Sequence, residues 1–311
     1  MRAGAWLLSL EKKVEYLGQK EAGGMIFNLG SINADHVYRL AQLPHAGETV
    51  AAQGYARLLG GKGANQSIAV ARAGGQVVHI GAVGADGDWM VELLSADGVD
   101  VRHVRRDQGA SGHAVVTVEQ SGENAILIHA GANRALRMQD VEAALAEAGP
   151  GDWLMLQNET NVQVEAARMA QDRGMCVAYS AAPFDEAALR AVLPHVTLLM
   201  VNEGEAAQMT QAMGAVQVPM LCVTRGARGV LWTEAGCRDA VTIPARKVVP
   251  VDTTGAGDTL AGYLVAGLAA GLNPERALQG AVGAAALAVT RPGASGAIPL
   301  AAEVAAFLGQ E

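Results

Sequence analysis

The stretch DTTGAGDTLAGYLV, from Asp252 to Val265, sets two aspartates and two glycines directly before an apolar run. Gly255 and Gly257 permit a tight turn, and we predict that Asp258 opens a helix. The N–H groups at the start of a helix lack partners and, with the helix dipole, favour an anion. An aspartate there could accept a proton from a hydroxyl while the amides stabilise a phosphoryl group in transfer. An aspartate N-cap without chemistry would explain the spacing equally well.

Composition and charge exclude several classes of protein. Half of the 311 residues are apolar, which is ample for a large core, and the net charge is −8, from 23 basic and 31 acidic residues. Without a basic block, a nucleic-acid partner is not expected, and no apolar segment is long enough to predict a membrane span. Cys176, Cys222 and Cys237 are widely spaced among apolar neighbours. We expect buried, reduced thiols in a cytoplasmic protein.

Short β-branched runs alternate with alanine-rich segments, which predicts an α/β fold with a mostly parallel sheet and helices on both faces. The predicted strands cover 25–31, 77–84, 152–157, 176–180, 197–202 and 220–226. The predicted helices cover 63–73, 86–97, 138–148, 162–173, 185–193 and 204–213. Ligands of such sheets bind beyond the carboxyl ends of the strands. We expect one domain over 25–311, preceded by an N-terminal extension over 1–24 that lies outside the functional core.

Two segments interrupt this alternation and look like β-structure added to the main sheet. Residues 35–59 contain extended pieces separated by turns, and residues 112–131 have the pattern of a hairpin with Ser121 and Gly122 at its turn. If the two segments pair with each other, they form a small discontinuous β-lid over the site.

Two common nucleotide-binding motifs do not fit the sequence. A P-loop requires Ser or Thr after its Gly-Lys pair, whereas Lys62 is followed by Gly63. The dinucleotide fingerprint requires a glycine where Leu260 stands. Lys62 is therefore not a P-loop lysine, and a nicotinamide-dependent oxidoreductase is disfavoured.

Several polar side chains near strand and helix ends are candidates for ligand binding. The candidates are Asn33, Asp35, Lys62, Asn65 and Glu159, and the amides and carboxylates among them can form the hydrogen bonds that polyols need. Taken singly, each is explained at least as well by a cap or a turn. Asn202 and Glu205 are one helical turn apart, so they could face a hydrated Mg²⁺ on a triphosphate or form a capping box without metal.

Seven segments, taken in order, resemble the ribokinase family of PfkB-type carbohydrate kinases from Met25 to Leu308. They are GSINADH, GGKGANQS, IHAGAN, NEGE, TRGARG, DTTGAGDT and AVTRPGA. The resemblance implies a ribokinase-like three-layer α/β/α sandwich with a small β-lid, and ATP-dependent phosphorylation of the primary 5-hydroxyl of D-ribose. A kinase of the same fold for a nucleoside, deoxyribose, fructose or another sugar remains an alternative, as does a sugar-binding protein without turnover.

The resemblance also implies roles for single residues. Asp258 would be the general base, and the anion hole would comprise Gly255, Ala256 and Gly257. The ribose pocket would comprise Asn33, Asp35, Gly61, Lys62, Asn65 and Glu159. ATP would be held by Asn202, Thr224, Gly226, Gly229 and Gly257, and Mg²⁺ by Asn202 and Glu205. A K⁺ ion beside the anion hole would be held by Asp252, Thr254, Ala288, Arg291 and Gly293, several through backbone carbonyls. Relatives of this kind often pair their lids, so a homodimer is expected.

The chain departs from the family pattern at three positions. Ser180 stands where the family usually has the first Asn of N-x-A-P, Val282 where a His or Asn is common, and Ala297 where a Ser is common. These positions concern the sugar, the nucleotide and the cation, whereas the residues expected to transfer the phosphoryl group all match.

Overall fold

A nine-stranded sheet forms the centre of the molecule in the computed structural model, which describes residues 23–119, 123–237 and 239–309. Its strands are β1 (Ile26–Leu29), β4 (Val77–Val83), β5 (Asp100–Arg106), β8 (Trp153–Gln157), β9 (Cys176–Ser180), β10 (Leu198–Asn202), β11 (Met220–Thr224), β12 (Val230–Glu234) and β13 (Val241–Ile243). They lie in the order β13-β12-β11-β10-β9-β8-β1-β4-β5. The sheet is parallel from β5 to β11, and β12 and β13 extend it as antiparallel strands, with β13 at the edge.

Helices cover both faces of this sheet. They are α1 (Lys62–Arg72), α2 (Asp88–Ala96), α3 (Met138–Ala144), α4 (Gln163–Asp172), α5 (Glu186–Val192), α6 (Glu203–Met213), α7 (Ala256–Ala269), α8 (Pro274–Ala288) and α9 (Ala301–Leu308). One hydrophobic core contains residues of α1, α2, α7, α8 and α9, and a second contains residues of α3 to α6. Among the described residues, no helix is both long and apolar enough to span a bilayer.

Alternate side chains of the central strands enter opposite cores. In β8, Trp153 and Met155 join the core of α1 and α7, whereas Leu154 and Leu156 join the core of α3 to α6. All four are at most 1% exposed. Because both faces are buried, the strand is apolar throughout, as is typical of parallel sheets. Burying each such side chain contributes about 1.5–3 kcal/mol relative to leaving it in water.

A second sheet of four strands forms the lid. Its strands are β2 (Asn33–Leu40), β3 (Gly54–Gly60), β6 (Gly112–Glu119) and β7 (Asn124–His129), in the order β3-β2-β6-β7. The two chain segments meet where β2 and β6 pair in parallel. The lid is therefore discontinuous, and it joins the body directly before α1. The predicted turn at Ser121 and Gly122, and residues 1–22 of the predicted extension, lie outside the described residues.

The predicted strands agree with the structure to within two residues at each end, but three points need correction. Strands β5, β12 and β13, which lie at or next to the two edges of the sheet, were not predicted. The first lid strand β2 begins at Asn33, two residues before the predicted lid segment, so Asn33 and Asp35 lie in the same strand. Cys176 and Cys222 are buried as expected, whereas Cys237 is exposed.

The start of helix α1 packs directly against the loop that follows β1, and two glycines make this contact possible. A Cβ added to Gly63 would lie 2.4 Å from Gly30 Cα and 2.4 Å from Ser31 N. Gly61, the N-cap of α1, has φ 91°, and a Cβ there would lie 2.9 Å from Ser31 O. Backbone atoms occupy the space on both sides, so only glycines allow α1 to approach this closely.

We expect Gly63→Ala to lower the free energy of unfolding by about 2 kcal/mol, because the new methyl group must displace backbone. Gly280→Ala is the matched control, since Gly280 lies inside α8 with no atom within 4 Å of an added Cβ. That change should stabilise the protein by up to about 1 kcal/mol. Urea denaturation of both variants measures the difference, and equal midpoints for Gly63→Ala and the wild type would contradict the contact.

Candidate active site

A cleft opens at the carboxyl ends of β9, β10 and β11, between α1 and α7. The sequence-predicted residues that line it are Lys62, Asn202, Glu205, Thr224, Gly255, Gly257 and Asp258. Gln66 and Ser180 line it too. The location agrees with the expectation that ligands of parallel sheets bind beyond the carboxyl ends of the strands.

Asp258 lies at the third position of α7 and does not cap the helix. The helix begins at Ala256, two residues earlier than predicted, and its N-cap is Gly255, with φ 73° and no side-chain cap bond. The carboxylate of Asp258 instead accepts hydrogen bonds from Asn65 Nδ2 at 3.0 Å and from Gln66 Nε2 at 3.1 Å. The alternative of a purely capping aspartate is therefore wrong.

The first turn of α7 presents backbone N–H groups beside this carboxylate, of which that of Ala256 donates to Thr253 O at 3.3 Å. A Cβ added to Gly257 would meet no atom within 4 Å, and Gly257 lines the cleft. The first N–H groups of an α-helix have no partner inside the helix and carry the positive end of its dipole. The turn can therefore bind a phosphoryl group next to Asp258.

Lys62 supplies a positive charge between three carboxylates. Burial alone would lower the pKa of Lys62, but the charges of Asp258, Glu159 and Glu205 outweigh it and raise that pKa. The side chain lines the same cleft as Asp258. An ammonium group is thus held where negative charge from a phosphate would enter.

The lid and the loop after β8 bring the remaining predicted sugar-binding residues together. Glu159 accepts hydrogen bonds from the Ser31 hydroxyl and from the backbone N–H of Lys62 at 3.2 Å. A Cβ added to Gly60 would lie 2.0 Å from Asp35 Oδ2, so a larger residue at position 60 would require the Asp35 side chain to move. Both carboxylates lie at the base of the lid.

Asn33 is oriented by a residue that was not predicted as part of the site. Asn33 Oδ1 accepts a hydrogen bond from Asn133 Nδ2 at 2.7 Å, and Asn133 Oδ1 accepts one from Ile32 N at 2.9 Å. A Cβ added to Gly112 would lie 2.0 Å from Asn133 Nδ2. Asn133 ends the segment IHAGAN, whose position in the sequence gave the only signal for it.

The surroundings of Asp35 disfavour the ionised form of its carboxyl group. Burial, followed by the negative charge of Glu159, raises the pKa of Asp35 to about 6. A carboxylate that is poorly solvated and next to a like charge is more basic and ready to accept hydrogen bonds from hydroxyls. Ionised Asp35 therefore destabilises the folded protein.

The residues predicted for Mg²⁺ form a capping box at the start of α6. Asn202 Oδ1 accepts from Glu205 N at 2.8 Å, and Glu205 Oε2 accepts from Asn202 N at 2.8 Å. Burial is the largest cause that raises the pKa of Glu205, with Asp258 adding to it, while the Asn202 N–H and Lys62 act in the opposite direction. Both side chains line the cleft.

The turn between β11 and β12 contains the other residues predicted for ATP. Thr224 lines the cleft. Gly226 and Gly229 have φ of 55° and 85°. A Cβ added to Gly229 would lie 2.0 Å from Ile243 O, so this glycine is required by packing against β13. Access for a nucleotide is not needed to explain it.

The residues predicted for K⁺ lie in two adjacent segments. Asp252 accepts hydrogen bonds from Thr254 N and Gly293 N, both at 2.9 Å. Although burial acts to raise it, these bonds lower the pKa of Asp252. The Arg291 side chain is itself a cation, paired with Glu303 at 2.6 Å, and has no acceptor, so only the backbone carbonyl of Arg291 could hold a cation. In the described ranges, no group of three or more His, Cys, Asp or Glu side chains is arranged to hold a metal ion.

Residues 25–301 match the family described as pfkB family carbohydrate kinase. The chain belongs to this family. A ribokinase of Haemophilus influenzae is 34% identical over 303 residues, which cover 90% of this chain and 97% of that protein. The predicted family is thus confirmed.

Solved structures of ribokinases share the fold. The ribokinase of Cryptococcus neoformans var. grubii in complex with ADP aligns with a TM-score of 0.80 and 32% identity, over 92% of this chain and 99% of that chain. The ribokinase of Arabidopsis thaliana complexed with ribose and ATP aligns with a TM-score of 0.81 and 27% identity, over 93% and 99%. The predicted ribokinase-like sandwich is confirmed.

We expect Asp35→Asn to stabilise the protein without its ligand. The folded pKa of about 6 lies above the ordinary value of 3.8, so stability falls as pH rises through this window. At pH 7.5 the variant should gain about 2 kcal/mol in the free energy of unfolding, and less at pH 4.5. Urea denaturation at both pH values measures this gain.

The exposed Asp239 provides the control for this measurement. Asp239→Asn should change stability by less than about 0.5 kcal/mol at either pH. The raised pKa of Asp35 would be contradicted if Asp35→Asn were no more stable than wild type at pH 7.5. It would also be contradicted if the free energy of unfolding increased equally at both pH values.

Proposed function

We propose that the protein is an ATP-dependent kinase that transfers the γ-phosphoryl group to the 5-hydroxyl of D-ribose. The observation that carries this proposal is the carboxylate of Asp258 beside the open N-terminus of α7, held by two amide donors in the cleft. The similar proteins from Haemophilus influenzae and Arabidopsis thaliana are ribokinases, and the second was solved with ribose and ATP.

In this mechanism the residues of the chain orient the sugar and move one proton. The sugar-binding set comprises Asn33, Asp35, Gly61, Lys62, Asn65 and Glu159. Asp258 accepts the proton of the 5-hydroxyl while the hydroxyl oxygen of the sugar attacks the γ-phosphorus. The bond between the γ-phosphorus and the oxygen that bridges it to the β-phosphate breaks. The N–H groups of Gly255, Ala256 and Gly257 and the charge of Lys62 stabilise the charge on the transferred group. The lid excludes water that would otherwise hydrolyse ATP.

The nucleotide and Mg²⁺ would be held on the opposite side of the cleft. Asn202 and Thr224 line that side, and we assign the turn with Gly226 and Gly229 to the same site. Mg²⁺ prefers oxygen ligands and retains waters, which the carboxylate of Glu205 fits. When bound, Mg²⁺ would offset negative charge on the phosphates. An assay without Mg²⁺ that retains full turnover would reject this assignment.

A monovalent cation would fit beside the anion hole. The candidate donors are the carboxylate of Asp252 and backbone carbonyls of Thr254, Ala288, Arg291 and Gly293, and an all-oxygen set suits a hard cation such as K⁺. When bound, K⁺ would add positive charge near the turn at 255–257. A melting temperature that does not respond to K⁺, together with K⁺-independent turnover, would reject it.

The lid carries an apolar face that a second copy of the chain would cover. Register places Val37, Leu58, Val116 and Ile126 on the side that bears Asp35, and Leu58 and Ile126 are 44% and 57% exposed. We assign this face to a homodimer. We further propose that residues 25–311 form one domain, and that the protein is cytoplasmic, in keeping with the buried thiol of Cys222, which forms no disulfide.

Asp258→Asn should lower turnover with D-ribose by at least about a hundredfold, because the amide cannot accept the proton of the hydroxyl. Ribose binding by calorimetry should persist, and the far-UV circular dichroism should match the wild type. ADP release coupled to NADH oxidation measures turnover. Near-normal turnover in this variant would remove the proposed base.

The same assay on the wild type decides the acceptor, using ribose, deoxyribose, fructose and nucleosides. Ribose should give the highest kcat/KM. A higher value for a nucleoside or another sugar would replace ribose as the substrate, and Ser180 would then be the first position to test. Ribose binding without turnover of any acceptor would identify a sugar-binding protein instead.

Ile126→Asp should dissociate the dimer, because the carboxylate would be buried against the apolar face of the second copy. Leu127→Asp is the matched control, since Leu127 is 71% exposed and points to the opposite face of β7. Light scattering should give twice 32.0 kDa for the wild type and the control, and 32.0 kDa for Ile126→Asp. A monomeric wild type would contradict the proposal.

A further inference from the structure

A row of buried polar side chains extends over neighbouring strands of the central sheet, on the face that packs against α1. His79 of β4 pairs in register with Asn28 of β1, and Gln157 of β8 pairs with Ser180 of β9. The first three are 0% exposed and Ser180 is 7% exposed. Polar groups at this depth require hydrogen-bond partners, and α1 supplies them.

The partners connect this row of side chains to the proposed base. Gln66 Nε2 donates to Asp258 Oδ1 at 3.1 Å and lies 3.3 Å from Ser180 Oγ, its second acceptor. Gln66 Oε1 accepts from Gln157 Nε2 at 2.8 Å. Gln157 Nε2 also donates to Asn28 Oδ1 at 2.7 Å. Every polar atom of the Gln66 side chain is therefore engaged.

A backbone carbonyl determines the direction of all three amides. Asn28 Nδ2 donates to Gly63 O at 2.8 Å. Because a carbonyl can only accept, Asn28 must turn its oxygen towards Gln157, which must then offer its NH₂ group to both neighbours. Gln66 consequently directs its oxygen to Gln157 and its NH₂ group to Asp258. The three amides of Asn28, Gln157 and Gln66, called the amide series below, therefore have one consistent orientation.

This orientation of the amides leaves one buried oxygen without a hydrogen-bond donor. Gln157 Oε1 is buried without a partner and lies against Gly30, where an added Cβ would be 2.5 Å away. Rotating the Gln157 amide would face its oxygen towards the oxygens of Asn28 and Gln66. An unpartnered buried oxygen is destabilising, so stability alone does not account for the arrangement.

We propose that Gln66 is a positioning residue for Asp258, and that Gln157 and Asn28 fix the direction of its donor. The inference rests on the proposed function of Asp258 as the base. With Asn65 on one oxygen and Gln66 on the other, the carboxylate has a single orientation towards the hydroxyl. Gln157 is fully buried, and it affects the reaction by orienting Gln66, which in turn orients Asp258.

Kinetics of three variants test this series with D-ribose and ATP. Gln66→Met, nearly isosteric, should lower kcat roughly 10- to 100-fold, the effect of losing a hydrogen bond to a charged group. Gln157→Met should lower kcat about tenfold. For both, the dissociation constant of ribose from calorimetry should stay within about twofold, because neither side chain is assigned to the sugar. A kcat of Gln157→Met within twofold of wild type overturns the proposal.

Ser67→Ala is the matched control. Ser67 Oγ lies 2.8 Å from both Asn28 Nδ2 and His79 Nδ1, so the variant also disrupts the buried polar row. Asn28 remains fixed by Gly63 O, and kcat should stay within about twofold of wild type. Loss of kcat in Ser67→Ala equal to that in Gln157→Met would show a merely structural role and overturn the inference.

A measurement without turnover separates this inference from the proposed function. The side-chain NH₂ signal of Gln66 in a ¹⁵N NMR spectrum is assigned by its loss in Gln66→Met. It should shift in Asp258→Asn and in Gln157→Met, and remain in place in Ser67→Ala. This result supports the series even if no acceptor is phosphorylated, or if Gln157→Met unfolds and only the other variants are compared. An unchanged signal in Asp258→Asn overturns it.

Discussion

The carboxylate of Asp258 joins helices α1 and α7 through hydrogen bonds at the cleft, and the geometry of the cleft depends on that contact. Helix α7 contributes the charge and the open amides, while α1 donates hydrogen bonds to both oxygens. Helix α1 can reach this position only because Gly63 and Gly30 allow the two backbones to touch. A close approach of two backbone segments on one side of the sheet thus sets the position of the Asp258 carboxylate on another helix.

Much of the fold could be predicted because the central strands are apolar on both faces and separated by helical segments. The edge strands could not. In β5 the sequence DVRHVRR is rich in charge, and Arg102, Arg105 and Arg106 pair with nearby aspartates. Edge strands tolerate charge that a central strand does not. Strands β12 and β13 are short and antiparallel, so no helix separates them to mark their ends.

The site was predictable where a residue type stands at an unusual position near a turn, as with Asp258. It was not predictable where the partner is distant in sequence. Gln66 follows Asn65 directly, yet its contacts with Gln157 and Asp258 span 91 and 192 residues. A weaker signal was present, since Asn28 and Gln157 are polar residues in otherwise apolar strands. The direction of their amides requires knowledge of Gly63 O, which only the folded backbone supplies.

The lid consists of two hairpin-like halves joined by the parallel pair β2 and β6. Each half is local in sequence, but Asn33 and Gly112 can pair only after the body has brought distant parts of the chain together. Pairing across such a separation carries a loop-closure entropy that local contacts do not. The lid is therefore expected to assemble late in folding, after the central sheet has formed together with helices α1 and α7, which carry the amide donors and Asp258.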